Sequence, residues 1–288
     1  MNPRKIVIGT ANFGMKYGLG YKNLNPKEIK KILSFSKKNG IRTLDTAPSY
    51  KNAFENLRRN KIENWDIISK IPSIPKNIDN INHHIQKIFF SNLKKINLSK
   101  IHTILIHDEK DILNVTKGKK ILKILNHFKK EKLVKRVGCS IYDSHKVKRV
   151  IKNYDFDVIQ CPYNILDRRI ISSGWFNKLK NKGVEVHIRS IFLQGLLVNE
   201  VVYKKKNFKK WKKFFLEWFQ NLKNNNIQAI DYCLSDLSDF NFDKIIVGIN
   251  NCDNLKDVVN FKLIRNRDTM LKIKTNDLNL IDPRNWKK

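Results

Sequence analysis

Cysteine is scarce and scattered in this sequence. Cys139, Cys161, Cys233 and Cys252 stand far apart, with no C-x-x-C pair and no histidine cluster at zinc-ligand spacing. A disulfide framework and a structural zinc site are thereby disfavoured, and the four read as reduced core thiols of a cytoplasmic protein. No apolar stretch approaches the roughly 18 residues that a membrane-spanning helix needs. The opening MNPRKIVIGT has a basic patch but lacks the apolar core of a secretory signal. Phosphate-binding glycine signatures are missing too. No G-x-G-x-x-G follows an apolar run, and the glycine-rich GTANFGMKYGLG (9–20) lacks G-K-[ST], so it reads as a loop. Low-complexity tracts and an interdomain linker are also absent.

Acidic residues are few: 26 against 58 basic ones, for a net charge of +32. Such an excess raises the question of a nucleic-acid or anionic-membrane partner. Its make-up argues otherwise. Lysine outnumbers arginine 46 to 12, and asparagine and isoleucine are abundant, the mixture that an A+T-rich coding bias deposits on any solvated surface. Specific phosphate recognition leans on arginine for its bidentate fork, and the lysines here are spread along the chain. The expectation is a small-molecule substrate, no specific nucleic acid, no membrane, and a monomer or weak homo-oligomer.

What the sequence does contain is a repeating alternation. Short β-branched runs recur at 5–10, 41–46, 65–71, 101–108, 134–141, 156–161, 184–191 and 243–249. They are nearly continuous in Val, Ile and Leu, as in strands covered on both faces. The segments between them carry helical periodicity. In NPKEIKKILSFSKKNG, Asn25 reads as an N-cap, Pro26 as the first helical residue and Gly40 as the residue past the end. Ile29, Ile32, Leu33 and Phe35 form its apolar stripe. One or two extra helices are expected within about 208–238. Eight strands alternating with helices in 288 residues predict one domain, 1–288, folded as a (β/α)8 TIM barrel. A doubly wound open sheet is the alternative.

In such barrels the chemistry sits where the strands end, and that selects four polar residues. Asp45 ends the second strand, with Tyr50 in the loop after it. Lys70 ends the third, before Pro72, and His107 ends the fourth. Each alone has a plain structural explanation as an ion pair or a satisfied core group. Together they suit general acid–base work: a buried ammonium beside a phenol favours phenolate, and a carboxylate keeps the lysine charged.

These residues resemble the catalytic tetrad of the aldo-keto reductase superfamily, NAD(P)H-dependent carbonyl reductases on a (β/α)8 barrel. The resemblance covers nearly the whole chain, through IVIGTANFGMKYG, GIRTLDTAPSY, ISKIP, TILIHDEK, VGCSIYD, IQCPYNILDRR, VHIRSIFLQGLL and IIVGINNCDNL in order. It implies Tyr50 as proton donor to a carbonyl, tuned by Lys70 and Asp45, with His107 orienting the substrate. It further implies Ser140 and Gln160 at the nicotinamide carboxamide, Arg189 stacked on the nicotinamide ring, and Ser190, Phe192 and Gln194 on the pyrophosphate side. Thr10, Gly248 and Asn254 join the cofactor contacts, and Phe13 walls the substrate pocket. No metal is expected.

Several positions depart from the family pattern. The run after the tyrosine is YKNAFENLRR, with Glu55 standing in for the usual acidic residue. Ile141 replaces a common asparagine, Asn254 an arginine that grips the 2′-phosphate of NADPH, and Val258 an adenine-binding asparagine. The cofactor is therefore NADP or NAD, with the family resemblance favouring NADP. Tyr17, Tyr21, Trp175 and Trp286 are candidate pocket walls that read more readily as surface or core packing. The FLQGLL form resembles relatives in sugar or polysaccharide metabolism, which suggests a sugar-like aldehyde or ketone. Two other functions fit the same residues: a cofactor-binding regulatory subunit with little turnover, and a barrel lyase forming a Schiff base on Lys70.

Overall fold

The computed structural model describes residues 2–19, 23–143, 146–265 and 275–286; Tyr21 lies outside them. Eight parallel strands, β1 (Ile6–Gly9), β2 (Thr43–Asp45), β3 (Asp66–Ile71), β4 (Ile101–Ile106), β5 (Val134–Ser140), β6 (Val158–Pro162), β7 (Glu185–Arg189) and β8 (Lys244–Gly248), pair in sequence order. β8 returns to β1, with Ile6 opposite Ile245 and Gly9 opposite Gly248, and the barrel closes. All eight expected strands are present, each trimmed or shifted by a residue or two at its ends. The open-sheet alternative is excluded.

The helices form as their sequences dictate. In Pro26–Lys38, the Asn25 side chain accepts the Glu28 N–H, and Pro26 opens the helix. Ile29, Ile32 and Leu33 are buried, and Gly40 takes the left-handed conformation just past the end, at φ 77°. Of the one or two extra helices expected before the last strand, two form: Lys212–Asn224 and Ala229–Leu237. One expectation fails: GTANFGMKYGLG is not all loop, because Ala11–Gly14 makes a single helical turn whose four residues are all buried.

Two layers of packing matter for function. Val7, Ile68, Leu105, Val158 and Ile246, from five different strands, form a cluster of their own, separate from the large core between sheet and helices. They fill the barrel interior. Side chains alternate along a strand, so the same inward face reappears two residues later at the C-terminal rim. Lys70 follows Ile68, His107 follows Leu105, Ser140 follows Gly138, Gln160 follows Val158 and Gly248 follows Ile246. Asp45 follows Thr43, the register partner of Val7.

A second core supports one side of that rim. Leu193, Leu196 and Leu197, in the segment after β7, are buried with Phe208, Phe215 and Trp218. This anchoring tolerates a costly backbone: Ser190, Leu193 and Gln194 all have positive φ, at 64°, 45° and 53°. Non-glycine residues rarely adopt that region, and such clusters mark functional loops.

The interior has no room at Gly138. A Cβ there would lie 2.2 Å from the Val158 carbonyl oxygen and 2.8 Å from Leu105 Cδ2. Gly138→Ala is expected to lower unfolding stability by about 2 to 3 kcal/mol, measured by urea denaturation; an unchanged midpoint would contradict this packing.

Candidate active site

At the rim, Lys70 is 2% exposed and its ammonium faces three acceptors. Nζ donates to Asp45 Oδ1 at 2.6 Å, to the Thr46 carbonyl at 3.1 Å and, more weakly, to Tyr50 Oη at 3.5 Å. A buried ammonium is tolerable only when paired and hydrogen-bonded, and three acceptors meet that demand. The other carboxylate oxygen of Asp45 accepts from Gln160 Nε2 at 2.8 Å, and Gln160 Oε1 accepts from Ser140 Oγ at 3.4 Å. β2, β3, β5 and β6 are thus tied across the barrel mouth by one polar chain.

Tyr50 is held by its backbone. Its N–H donates to the Ala47 carbonyl, and its own carbonyl accepts from Ala53, both at 3.0 Å. Gly14 packs directly on this turn: a Cβ there would come within 1.9 Å of the Tyr50 carbonyl oxygen and 2.3 Å of the Ala53 nitrogen. His107 stands edge-on to the Tyr50 ring, with centroids 6.4 Å apart.

The electrostatics differ from expectation at one point. Burial, then the Asp45 carboxylate, push the Tyr50 phenol well above its ordinary value, and Arg189 pulls it down only in part. Lys70 does not make this phenol acidic, because its charge is spent at 2.6 Å on Asp45 and reaches the phenol only at 3.5 Å. Tyr50 is therefore a protonated donor at neutral pH. Burial also lowers Lys70, against the opposing pull of Asp45. His107 is lowered to about 4, by burial first and the Lys70 charge second, so its ring is neutral.

A cavity of about 560 Å³ is lined by Asp45 and Tyr50 at the rim, whereas Lys70 and His107 are not among its lining residues. Seven of the residues expected at a cofactor line it: Thr10, Arg189, Ser190, Phe192, Gln194, Gly248 and Asn254. Val258 and Tyr17 line it as well. Ser140 and Gln160 do not. Each is 1% exposed, and in this structure they serve Asp45, as described above. Phe13 also misses the cavity: the helical turn Ala11–Gly14 carries its ring into the main core, 1% exposed. Tyr17, farther along the same segment, is the aromatic wall instead. Glu55 pairs with Arg59 at 2.5 Å on the surface, away from the cavity. Trp175 and Trp286 pack against the two cores.

Other contacts at the site, including those Arg189 makes with neighbouring side chains, carried no sequence signal. Arg189 and Arg284 both stack on Tyr142, with guanidinium carbons 4.1 and 3.8 Å from the ring centroid. Arg284 is also gripped by Asp282 at 2.6 Å, whereas Arg189 has no carboxylate within ion-pair distance among the described residues. Asn12 lines the cavity with its Nδ2 on the Ile249 carbonyl and on Asn250, and its Oδ1 is buried without a partner. A Cβ on Gly248 would meet nothing within 4 Å, so the backbone there is open to a ligand. An orphaned acceptor, an unpaired guanidinium and a bare glycine fit a polar, anionic group such as a dinucleotide. Among the described residues no cluster could hold a metal ion, and no helix is long and apolar enough to cross a membrane.

Comparison with known proteins agrees with the barrel fold. A protein from Pseudomonas aeruginosa described as an aldo-keto reductase superposes with a TM-score of 0.67, covering 90% of this chain and 89% of its own at 19% identity. The holo form of an aldo-keto reductase from Bacillus halodurans gives 0.70, over 88% and 85% at 17% identity. A glycerol dehydrogenase from Gluconobacter oxydans gives 0.69, over 92% and 88% at 16% identity. At such identities the likeness carries the fold alone. No curated protein sequence matches the chain. The sequence profile of the aldo/keto reductase family, however, matches residues 5–260, and this chain belongs to that family of NAD(P)-dependent oxidoreductases.

Proposed function

We propose that this protein interconverts an aldehyde or ketone and its alcohol with Tyr50 as the proton donor and acceptor. The observation that supports it most is the contact set of Lys70: one buried ammonium bound to Asp45 and within 3.5 Å of a phenol that lines the cavity. When bound, a nicotinamide cofactor supplies the hydride to the carbonyl carbon. Tyr50 gives its proton to the carbonyl oxygen, so that hydride and proton together make the alcohol. The phenolate left behind sits beside the Lys70 ammonium, whose attraction grows as that charge forms. Asp45 keeps Lys70 protonated and oriented. Neutral His107, edge-on to Tyr50, can donate a hydrogen bond to the same carbonyl oxygen without competing as an acid. Arg189, Ser190, Gln194, Gly248 and Asn254 would hold the dinucleotide.

The substrate class we propose is a polyhydroxylated, sugar-like carbonyl. The FLQGLL motif and the likeness to a glycerol dehydrogenase support it, as do the asparagines around the cavity. A Schiff-base role for Lys70 has less support, since the ion pair with Asp45 at 2.6 Å favours the protonated amine, which is not a nucleophile. A purely regulatory role gives no reason to keep Tyr50 in reach of Lys70.

Tyr50→Phe is expected to bind the reduced cofactor with unchanged affinity in a fluorescence titration and to lose turnover of short aldehydes by about 10² to 10⁴-fold. Retained turnover would move the proton donor elsewhere. The pH dependence follows from the direction of the Tyr50 shift. Reduction needs the protonated phenol, which persists beyond the ordinary tyrosine value of about 10. The chemical step of reduction should therefore show no loss between pH 7 and 10. Alcohol oxidation needs the phenolate and should rise with pH across the same range. A reduction rate that falls with an apparent pKa near 7 would refute this assignment.

A further inference from the structure

Charge along the cavity wall is unevenly shared. Among the described lining residues only Asp45, Arg189 and Glu200 are ionisable acids or bases of ordinary carboxylate or guanidinium type. Asp45 and Arg189 belong to the rim, where Arg189 rests on Tyr142 and acts on Tyr50 and His107. Away from the rim the wall comes from residues 198–200, from Ile230, and from Asn254 and Val258 of the helix Cys252–Val259. Among the described residues, the one charge on that outer wall is the carboxylate of Glu200.

We infer that the outer wall selects NAD(H) over NADP(H), with Glu200 as the discriminating residue. This rests on the nicotinamide-dependent reading above. The two cofactors differ only by a phosphate on the adenosine ribose, a group with about −1.5 to −2 charges near neutral pH. Holding it calls for arginine or lysine, or for free backbone N–H groups at a helix start. The outer wall offers neither. At the start of the helix Cys252–Val259, the Cys252 N–H donates to Glu28 Oε1 at 2.6 Å and the Asn254 N–H to Asn251 Oδ1 at 2.7 Å. A carboxylate of the chain already occupies that helix end.

The lysines nearby are committed as well. Lys31 lies 3.8 Å from Glu28, Lys256 pairs with Asp253 at 2.8 Å and Lys223 with Glu200 at 3.2 Å. A 2′-phosphate at that wall would meet neutral amides and the carboxylate of Glu200, with the helix start already taken by Glu28. A free ribose hydroxyl meets the same groups favourably, because it can donate to a carboxylate or an amide oxygen, the device by which acidic residues choose NAD in dinucleotide folds. The overall charge of +32 attracts both cofactors from a distance and does not distinguish them at contact.

The test is parallel fluorescence titration of the full chain with NADH and NADPH, repeated on Glu200→Gln and Asn254→Arg. The wild-type protein should bind NADH at least tenfold more tightly. Glu200→Gln should shrink that ratio, and Asn254→Arg should tighten NADPH at least tenfold, a gain that misfolding cannot mimic. Equal or tighter NADPH binding by the wild type would overturn the selectivity while leaving the carbonyl-reductase reading intact. Saturable binding of neither cofactor would overturn both. A ratio unmoved in Glu200→Gln would overturn the assignment to Glu200.

Discussion

The site is organised around one ammonium that has no water to solvate it. Lys70 is buried at the barrel rim, and the cost of desolvating it is far above the worth of any single hydrogen bond. Its acceptors must come from the protein, and they come from β2 and the segment after it: Asp45, the Thr46 carbonyl and Tyr50. Asp45 is in turn a buried carboxylate whose second oxygen needs a donor, and Gln160 reaches across from β6 to supply it. Each polar group at the mouth is thus the solution to a burial problem posed by its neighbour. The same chain of obligations leaves the phenol at its outer end, facing the cavity.

Fold and site were readable to different depths. The strands announced themselves because a sheet covered on both faces needs unbroken runs of Val, Ile and Leu, and Asn25, Pro26 and Gly40 punctuated a helix by their backbone chemistry alone. Asp45, Lys70 and His107 stood out because an ionisable side chain ends an apolar run. Other features depended on direction rather than identity. Phe13 turns inward because four residues coil into a helical turn where the glycines suggested a loop. Ser140 and Gln160 end strands whose inner faces point into the barrel, yet Gln160 donates to Asp45 and Ser140 donates to Gln160. Which neighbour a buried amide satisfies is decided by packing across the barrel, over 115 residues of chain for Gln160 and Asp45.

The acidity of Tyr50 teaches a related lesson. Composition suggests that lysine beside tyrosine lowers the phenol, but the geometry ranks the interactions. At 2.6 Å Asp45 claims the lysine, and burial then governs the tyrosine. On the mechanism proposed above, such a residue is held ready as a donor, with the ammonium positioned to stabilise the anion only as it forms. Glu200 and the blocked start of the helix Cys252–Val259 were silent in the sequence for the same reason: a carboxylate acquires meaning only from the wall it joins.

The ring of Tyr142 bears one guanidinium from β7 and another from the segment that follows the helix Leu278–Ile281. A strand of the barrel and a peripheral stretch of chain therefore share a single aromatic bearing. Mutational drift in that periphery is not insulated from the chemistry. Any change that shifts Arg284 alters the seat of Arg189 as well, and so gives remote sequence variation a direct handle on the potential felt at the reacting oxygen.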